Sequence, residues 1–375
     1  MVDLALKTLL HDRLRFFITV SGVAFAVTLV FVQTGLFTGL LGNASVTIRH
    51  LDAELWVVPR NTPNVDFANT FPEAYLQRVR SVPGVAQADN LIVYFMFMTL
   101  PSGARETVEV YAMENFRRWG FPWHIVAGDI DDLRRGAYAF MDDSATRRFG
   151  PFQVGDYREL HSTRLRIIGR TTGALSFTTT PLLFMDYRLA QRINPDILQG
   201  RTSYVVVKLA PGADLEQVRA EIQRRLPYND VHTRAEWAAK SEGYWVESTG
   251  LGLNMYLTVF LGILVGVVVV TQTLYTSTME HVREYGTVKA IGGNNGQIYR
   301  IIGKQAVIAA LLGYAVGTAM AWGAGQLVAQ AGLKMELTPT LLAAVLAGDL
   351  LLCLLAAAVS FHKVARIDPA MVFRG

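Results

Sequence analysis

The chain has 375 residues, of which 51% are hydrophobic and 18% are charged, whereas soluble domains carry roughly 25% charged residues. The apolar residues concentrate in four stretches, which indicates a membrane protein and excludes a single large soluble core. Segments 1–15, 280–304 and 362–375 hold ten Lys/Arg against five Asp/Glu, while segment 41–250 holds 24 of each. The net charge of +4 is therefore a topology signal, and we expect no nucleic-acid partner.

The N-terminal segment predicts a helix that lies on the membrane before the first span. Residues 1–15 alternate apolar and charged positions at helical spacing, which is typical of an interfacial helix, and a plain basic flank is the alternative. Residues 16–41 contain no charged side chain and are long enough to cross a bilayer. They are the predicted first transmembrane helix, in which Gln33 is the one strongly polar side chain.

Residues 42–250 change character, because charges and prolines return and short β-patterned runs alternate with turns. This pattern predicts an extracytoplasmic α+β domain inserted between the first and second spans. Predicted strands cover residues 54–58, 90–100, 106–113, 137–141, 165–171, 182–185 and 203–209. Predicted helices cover residues 72–82 and 215–226, and Asp214 is the expected N-cap of the second.

Three further apolar stretches predict transmembrane helices at 251–278, 305–333 and 340–361. They are joined by a cytoplasmic loop (279–304) and a short external loop (334–339), and a tail (362–375) follows. Gly262 and Gly266 form a G-x-x-x-G pair that either brings two helices close together or faces lipid. Four spans place both termini on one side, and the positive-inside rule assigns that side to the cytoplasm.

Asp349 is the only formal charge within a predicted span. An acid in this position is expensive in lipid and normally faces a bundle interior with a partner. The candidate neutral partners within the other spans are Gln33, Gln272, Gln326 and Thr271. A part in coupling, a part in substrate passage and simple helix–helix hydrogen bonding all remain open for this acid.

The sequence contains no G-x-x-x-x-G-K-[ST] phosphate loop, no HExxH motif and no G-x-S-x-G motif. We therefore expect a chain that is not an enzyme and binds no metal or cofactor itself. An aromatic turn at Trp119, Phe121 and Trp123 can provide an outer-domain contact for an apolar partner or lipid if exposed. The alternative is a plug buried in the domain.

Residues 280–293, EHVREYGTVKAIGG, form a short amphipathic pattern that ends in two glycines. Val282, Tyr285 and Val288 can share one stripe, with Glu284 and Lys289 beside it. A helix of this kind between two spans suits the transmission of force from a soluble partner. An ordinary solvated loop helix is the alternative.

The segment Glu284-x-Gly286-x-x-x-Ala290-x-Gly292-Gly293 resembles the coupling-helix signature of FtsX-like/MacB-type ABC transporter permeases. The resemblance covers the whole chain, including an Asp368-Pro369-x-x-x-x-Arg374 tail, and is closest to the DevC-like branch. It implies the MacB-type (type VII) permease fold, with four transmembrane helices and a large α+β domain.

This resemblance also implies a function. The chain is expected to be the permease subunit of an exporter of a hydrophobic or amphipathic substrate in the bacterial inner membrane. A separate ABC-type ATPase subunit would carry ATP and Mg, a second permease copy would complete a homodimer, and a periplasmic adaptor and membrane lipid are further expected partners. The implied ATPase-coupling residues are Glu284, Tyr285, Gly286, Val288, Lys289, Ala290, Gly292 and Gly293. The alternative is an FtsX-like signalling permease, which regulates an extracytoplasmic partner without transport.

Overall fold

The computed structural model describes residues 13–281, 287, 294–330 and 333–365. The chain divides into two compact units. A helical unit is built from the segments before Leu40 and after Gly252, and an inserted domain covers Leu40–Gly252. The predicted interfacial helix lies outside the described residues except for its last positions, as do most of the coupling segment and of the tail.

The described α-helices are, in chain order, α1 (Arg13–His50), α2 (Tyr75–Arg80), α3 (Ala145–Phe149), α4 (Tyr187–Ile193), α5 (Pro195–Leu198), α6 (Leu215–Arg225), α7 (Arg234–Gly243), α8 (Leu251–Glu280), α9 (Asn295–Gln330) and α10 (Pro339–Ala365). Four of them, α1, α8, α9 and α10, are long and apolar enough to cross a membrane. This confirms the prediction of four spanning helices with a large domain between the first and the second. Helix α1 continues past the predicted end of the first span at residue 41 and ends at His50. Helix α9 begins at Asn295, ten residues before the predicted start of the third span at residue 305.

Small residues bring the spanning helices close together. A Cβ added at Gly262 of α8 would lie 2.4 Å from Leu29 Cδ2, and one added at Gly266 would lie 2.7 Å from Ala26 Cβ on α1. Real Cβ atoms essentially never approach other atoms this closely, so a larger residue at either position would require α1 or its side chains to shift. Gly313 on α9 packs against α1 in the same way. The G-x-x-x-G pair is thus confirmed as a close helix contact and does not simply face lipid.

The inserted domain contains twelve described strands: β1 (Leu55–Pro59), β2 (Phe71–Pro72), β3 (Val85–Thr99), β4 (Arg105–Met113), β5 (Ile125–Ala127), β6 (Tyr138–Asp142), β7 (Tyr157–Leu160), β8 (Thr163–Thr171), β9 (Leu182–Asp186), β10 (Arg201–Thr202), β11 (Tyr204–Leu209) and β12 (Asn229–Thr233). Ten form one mixed sheet in the order β12-β1-β11-β3-β4-β9-β6-β8-β5, with β7 beside β3 and β8. The remaining two, β2 and β10, form a small second sheet. The prediction of an α+β domain is confirmed.

The central hairpin of β3 and β4 shows how local sequence builds the domain. The strands pair antiparallel from Leu91↔Met113 to Thr99↔Arg105, on either side of the turn at Pro101-Ser102-Gly103. Alternate residues of β4 enter different hydrophobic cores: Val108 and Val110 enter one, whereas Tyr111 enters the other. Both faces of this strand are therefore buried, and a polar side chain on it can be enclosed.

The helix cap predicted for α6 is present. Asp214 accepts hydrogen bonds from the backbone N–H groups of Glu216 at 2.9 Å and Gln217 at 3.2 Å. A capping box that was not predicted begins α7, where Thr233 and Glu236 exchange hydrogen bonds. The strands β5, β7 and β12 were not predicted, because strands of only three to five residues leave little periodic signal.

Candidate functional site

Asp349, predicted as a membrane acid, lies beside a cavity in the helical unit. The cavity has a volume of about 230 Å³ and is lined by α1, α8 and α10. Its wall is aliphatic apart from the carboxyl group of Asp349 and the thiol of Cys353. The sequence indicated this acid but gave no sign of the cavity beside it, and the part it plays stays a prediction.

The hydrogen bonds of Asp349 differ from those expected. Its Oδ1 receives a long contact from Cys353 Sγ at 3.7 Å, one turn along the same helix. Its Oδ2 is buried and has no hydrogen-bond partner among the described residues. Gln33 is half-buried and Gln272 is exposed, and neither lines the cavity. Among the described residues no hydrogen bond joins Asp349 to either of these candidate partners, and its one described contact is with Cys353 of the same helix.

A second acidic site, which sequence reasoning missed, lies in the core of the inserted domain. Glu109 on β4 is fully buried, and Asp66, between β1 and β2, is 4% exposed. Neither carboxyl oxygen of Glu109 has a hydrogen-bond partner of normal geometry in the described part of the chain. Burial raises the pKa of Asp66 to about 7. Burial, together with the nearby charge of Asp66, raises the pKa of Glu109 well above its ordinary value.

The surroundings of this carboxyl pair supply neutral hydroxyl groups. Tyr111 donates to Thr47 Oγ1 at 3.1 Å, and Tyr204 donates to the carbonyl oxygen of Val65 at 2.9 Å. Burial raises the pKa of both tyrosines well above the ordinary value, so both keep their protons. Two acids in one apolar core cannot both ionise at low cost, so the pair is built to hold a proton near neutral pH.

The sequence did contain one signal for this site. Glu109 lies two residues before Tyr111 in β4, so the two side chains share a face of the strand. That face belongs to the core containing Tyr111 and Phe184. Glu109 therefore had to point inward once Tyr111 was assigned to the core. Its contact with Asp66 depends on the tertiary fold and could not be predicted.

The aromatic turn is buried in the structure. Trp119 and Phe121 are almost fully buried and Trp123 is 8% exposed. Trp119 Nε1 donates to Asp89 Oδ2 at 2.8 Å, and Phe121 packs edge-to-face on Phe184 with ring centroids 5.3 Å apart. This corrects the expectation of an outer contact: the rings fill the core because each finds a partner there, as the buried-plug alternative described.

Comparison with known sequences identifies the family. The sequence model of the MacB-like periplasmic core domain matches residues 16–225, which is more than half of the chain. The model of the FtsX-like permease C-terminal region matches residues 256–369. The chain is a MacB/FtsX-type ABC transporter permease. The recognition made from the 284–293 signature is thereby confirmed at the level of this family.

Full-length relatives and solved domains are also similar to this permease. An uncharacterized ABC transporter permease of Mycobacterium tuberculosis is 24% identical over the whole of both chains. Another, of Mycobacterium bovis, is 27% identical over 97% of this chain and 96% of its own. The periplasmic region of MacB from Actinobacillus actinomycetemcomitans aligns with 50% of this chain and 92% of its own, at 11% identity and a TM-score of 0.40. The extracellular domain of the transporter YknZ from Gram-positive bacteria aligns with 48% of this chain and 98% of its own, at 15% identity and a TM-score of 0.36.

The segment with the predicted coupling signature lies, in the sequence, between two spanning helices. α8 ends at Glu280 and α9 begins at Asn295. Asn294 caps α9, because its Oδ1 accepts from the Gln297 N–H at 2.9 Å. The coupling residues predicted from the signature, Glu284, Tyr285, Gly286, Val288, Lys289, Ala290, Gly292 and Gly293, lie outside the described residues. Their role stays a prediction, and the cap at Asn294 directly follows the two glycines.

Proposed function

We propose that this chain is the permease subunit of an ABC-type exporter for a hydrophobic or amphipathic substrate. It works as a homodimer with separate ATPase subunits, which bind ATP and Mg. The observation that carries the proposal is the combination of a MacB/FtsX-type architecture with a sequence that has no phosphate-binding loop. Such a chain needs hydrolysis from a partner, and its coupling signature lies between two spanning helices.

The proposed location is the bacterial inner membrane, with both termini and the 281–294 segment in the cytoplasm. Two features support this orientation. The three segments on that side carry a twofold excess of basic over acidic residues, and the inserted domain segment is neutral. Since four helices cross the membrane, the 281–294 segment lies on the same side as the N-terminus, where an ATPase can reach it.

The proposed mechanism is mechanical. Closure of the ATPase moves the coupling segment, and α8 and α9 carry that motion into the membrane. The glycine contacts of both helices with α1 support this step, because tightly packed helices move together and do not deform continuously. The inserted domain is connected to the spans through α1 and α8, so it is the part of the chain that would use this motion on the outer side.

Substitutions in the coupling segment test the ATPase docking directly. Gly286→Trp and Glu284→Lys should each weaken binding of the ATPase, because truncating or blocking a central interface residue costs about 2 kcal/mol or more. The measurements are co-purification of the ATPase with the permease and stimulated ATP hydrolysis by the reconstituted complex. Ser102→Trp, in the exposed β3–β4 turn, is the matched control and should leave both unchanged. A full ATPase complement with unchanged hydrolysis in both coupling variants would contradict the docking role.

Export and signalling make different predictions for the same complex. An exporter should move a hydrophobic substrate out of proteoliposomes in an ATP-dependent way, and that substrate should stimulate hydrolysis. An FtsX-like signalling permease should instead hydrolyse ATP without substrate movement and change the activity of an outer partner. A periplasmic adaptor that co-purifies with the inserted domain would favour export.

A further inference from the structure

The cavity beside Asp349 combines an apolar wall with an unused hydrogen-bond acceptor. Valine, leucine, isoleucine and alanine side chains of α1, α8 and α10 form the wall. Asp349 Oδ2 is buried without a partner among the described residues, and the contact of Oδ1 with Cys353 Sγ is long at 3.7 Å. A carboxyl group in such surroundings is costly whether it is ionised or merely left without a donor. A ligand that donates a hydrogen bond would remove that cost.

We propose that this cavity binds an apolar primary amine, with the ammonium group on Asp349 and the hydrocarbon body among α1, α8 and α10. The proposal concerns ligand binding by this chain alone, so it does not depend on ATPase docking or on export. Charge complementarity selects the amine over a carboxylic acid, because Asp349 is the one acidic or basic side chain among the described residues that line the cavity. The apolar wall selects a hydrocarbon body over a polar one.

The size of the cavity and its borders fit a ligand of this kind. A dry cavity of about 150 Å³ accepts a benzene ring, and this one has about 230 Å³, enough for a ring with a short alkyl chain. A Cβ added at Gly348, next to the acid, would meet no described atom within 4 Å. The missing side chain at Gly348 therefore leaves free space next to the carboxyl group. Ile263 of the lining is also partly exposed on the surface of the helical unit, so the cavity lies next to that surface.

The test uses the full-length permease in phosphatidylcholine nanodiscs, without the ATPase. The probes are radiolabelled phenylbutylamine and its neutral analogue phenylbutanol, measured by equilibrium binding. Wild type should bind the amine saturably and about tenfold or more tightly than the alcohol, because a charge-assisted hydrogen bond adds that much in an apolar site. Asp349→Asn, which is almost the same size, should lose this preference for the amine.

Two glycine variants locate the binding. Gly348→Leu places a side chain beside the carboxyl and should abolish binding of both probes. Gly323→Leu on α9 is the matched control, because it also has open space at the Cβ position and does not line the cavity. It should bind both probes as wild type does. Size-exclusion profiles and thermal unfolding midpoints identify any variant that fails to fold.

Three results would overturn the proposal. The first is no saturable amine binding by wild type. The second is a carboxyl that does not recognise the ligand. Equal affinity of wild type for the amine and the alcohol would show this, and so would unchanged amine affinity in Asp349→Asn. The third is normal binding by a folded Gly348→Leu variant, which would place the ligand elsewhere.

Discussion

The buried carboxyl pair makes the stability of the inserted domain depend on pH in a defined direction. In the unfolded chain Asp66 releases its proton near its ordinary pKa of 3.8, whereas in the folded domain burial raises this pKa to about 7. Between these two values the native state holds a proton that the unfolded state has lost. The free energy of unfolding therefore falls as the pH rises through this window and levels off above about pH 7.

The magnitude follows from the shift of the Asp66 pKa. Because the pKa of Asp66 rises from 3.8 to about 7, the free energy of unfolding, at 1.36 kcal/mol per pH unit, falls by about 4 kcal/mol over the whole window and by about 3 kcal/mol between about pH 5 and pH 8. Glu109 shifts in the same direction and adds to this fall. Asp66→Asn removes the titrating group at nearly constant size. In this variant the free energy of unfolding should depend much less steeply on pH, and it should exceed that of wild type at pH 8.

Urea unfolding of the full-length chain in detergent, followed by tryptophan fluorescence, measures this effect. Five of the six tryptophans lie buried in the inserted domain, so the signal reports mainly on that domain. Glu109→Gln should reduce the slope as Asp66→Asn does. Glu216→Gln, at an exposed position on α6, is the matched control and should keep the wild-type slope. If Asp66→Asn and wild type show the same dependence on pH, the carboxyl pair does not hold the proton assigned to it.

Two further predictions test topology and packing. In a Cys353→Ala background, a membrane-impermeant maleimide should label Ser102→Cys only from outside and Thr287→Cys only from inside, and the reverse pattern would overturn the proposed orientation. Gly266→Leu should lower the thermal unfolding midpoint, because overpacking costs about 1–3 kcal/mol and a Cβ there lies 2.7 Å from α1. Gly323→Leu, with open space at its Cβ, should change the midpoint little, and an equal effect of both variants would contradict the close contact.

The elements that the sequence predicted well depend on short-range patterns. The four spans follow from uninterrupted apolar runs, and the β3–β4 hairpin follows from two alternating segments around Pro101-Ser102-Gly103. Asp214 was recognisable as a cap because capping involves residues only two and three positions away. The order of strands in the large sheet was not predictable, because β1 pairs with β11 and β12 from the far end of the domain.

The two acidic sites differ in how far the sequence reveals them, for a physical reason. Within a spanning helix, residues near in sequence share the same lipid or protein surroundings, so Asp349 was conspicuous among apolar neighbours. In a sheet, consecutive residues face opposite sides and their surroundings come from other strands. The sequence around Glu106 and Glu109 is typical of a strand with one exposed face, although both faces of β4 are covered at Glu109. A buried acid in a sheet is therefore recognisable only after the layers on both faces are known, and its partner only after the loop carrying Asp66 is placed.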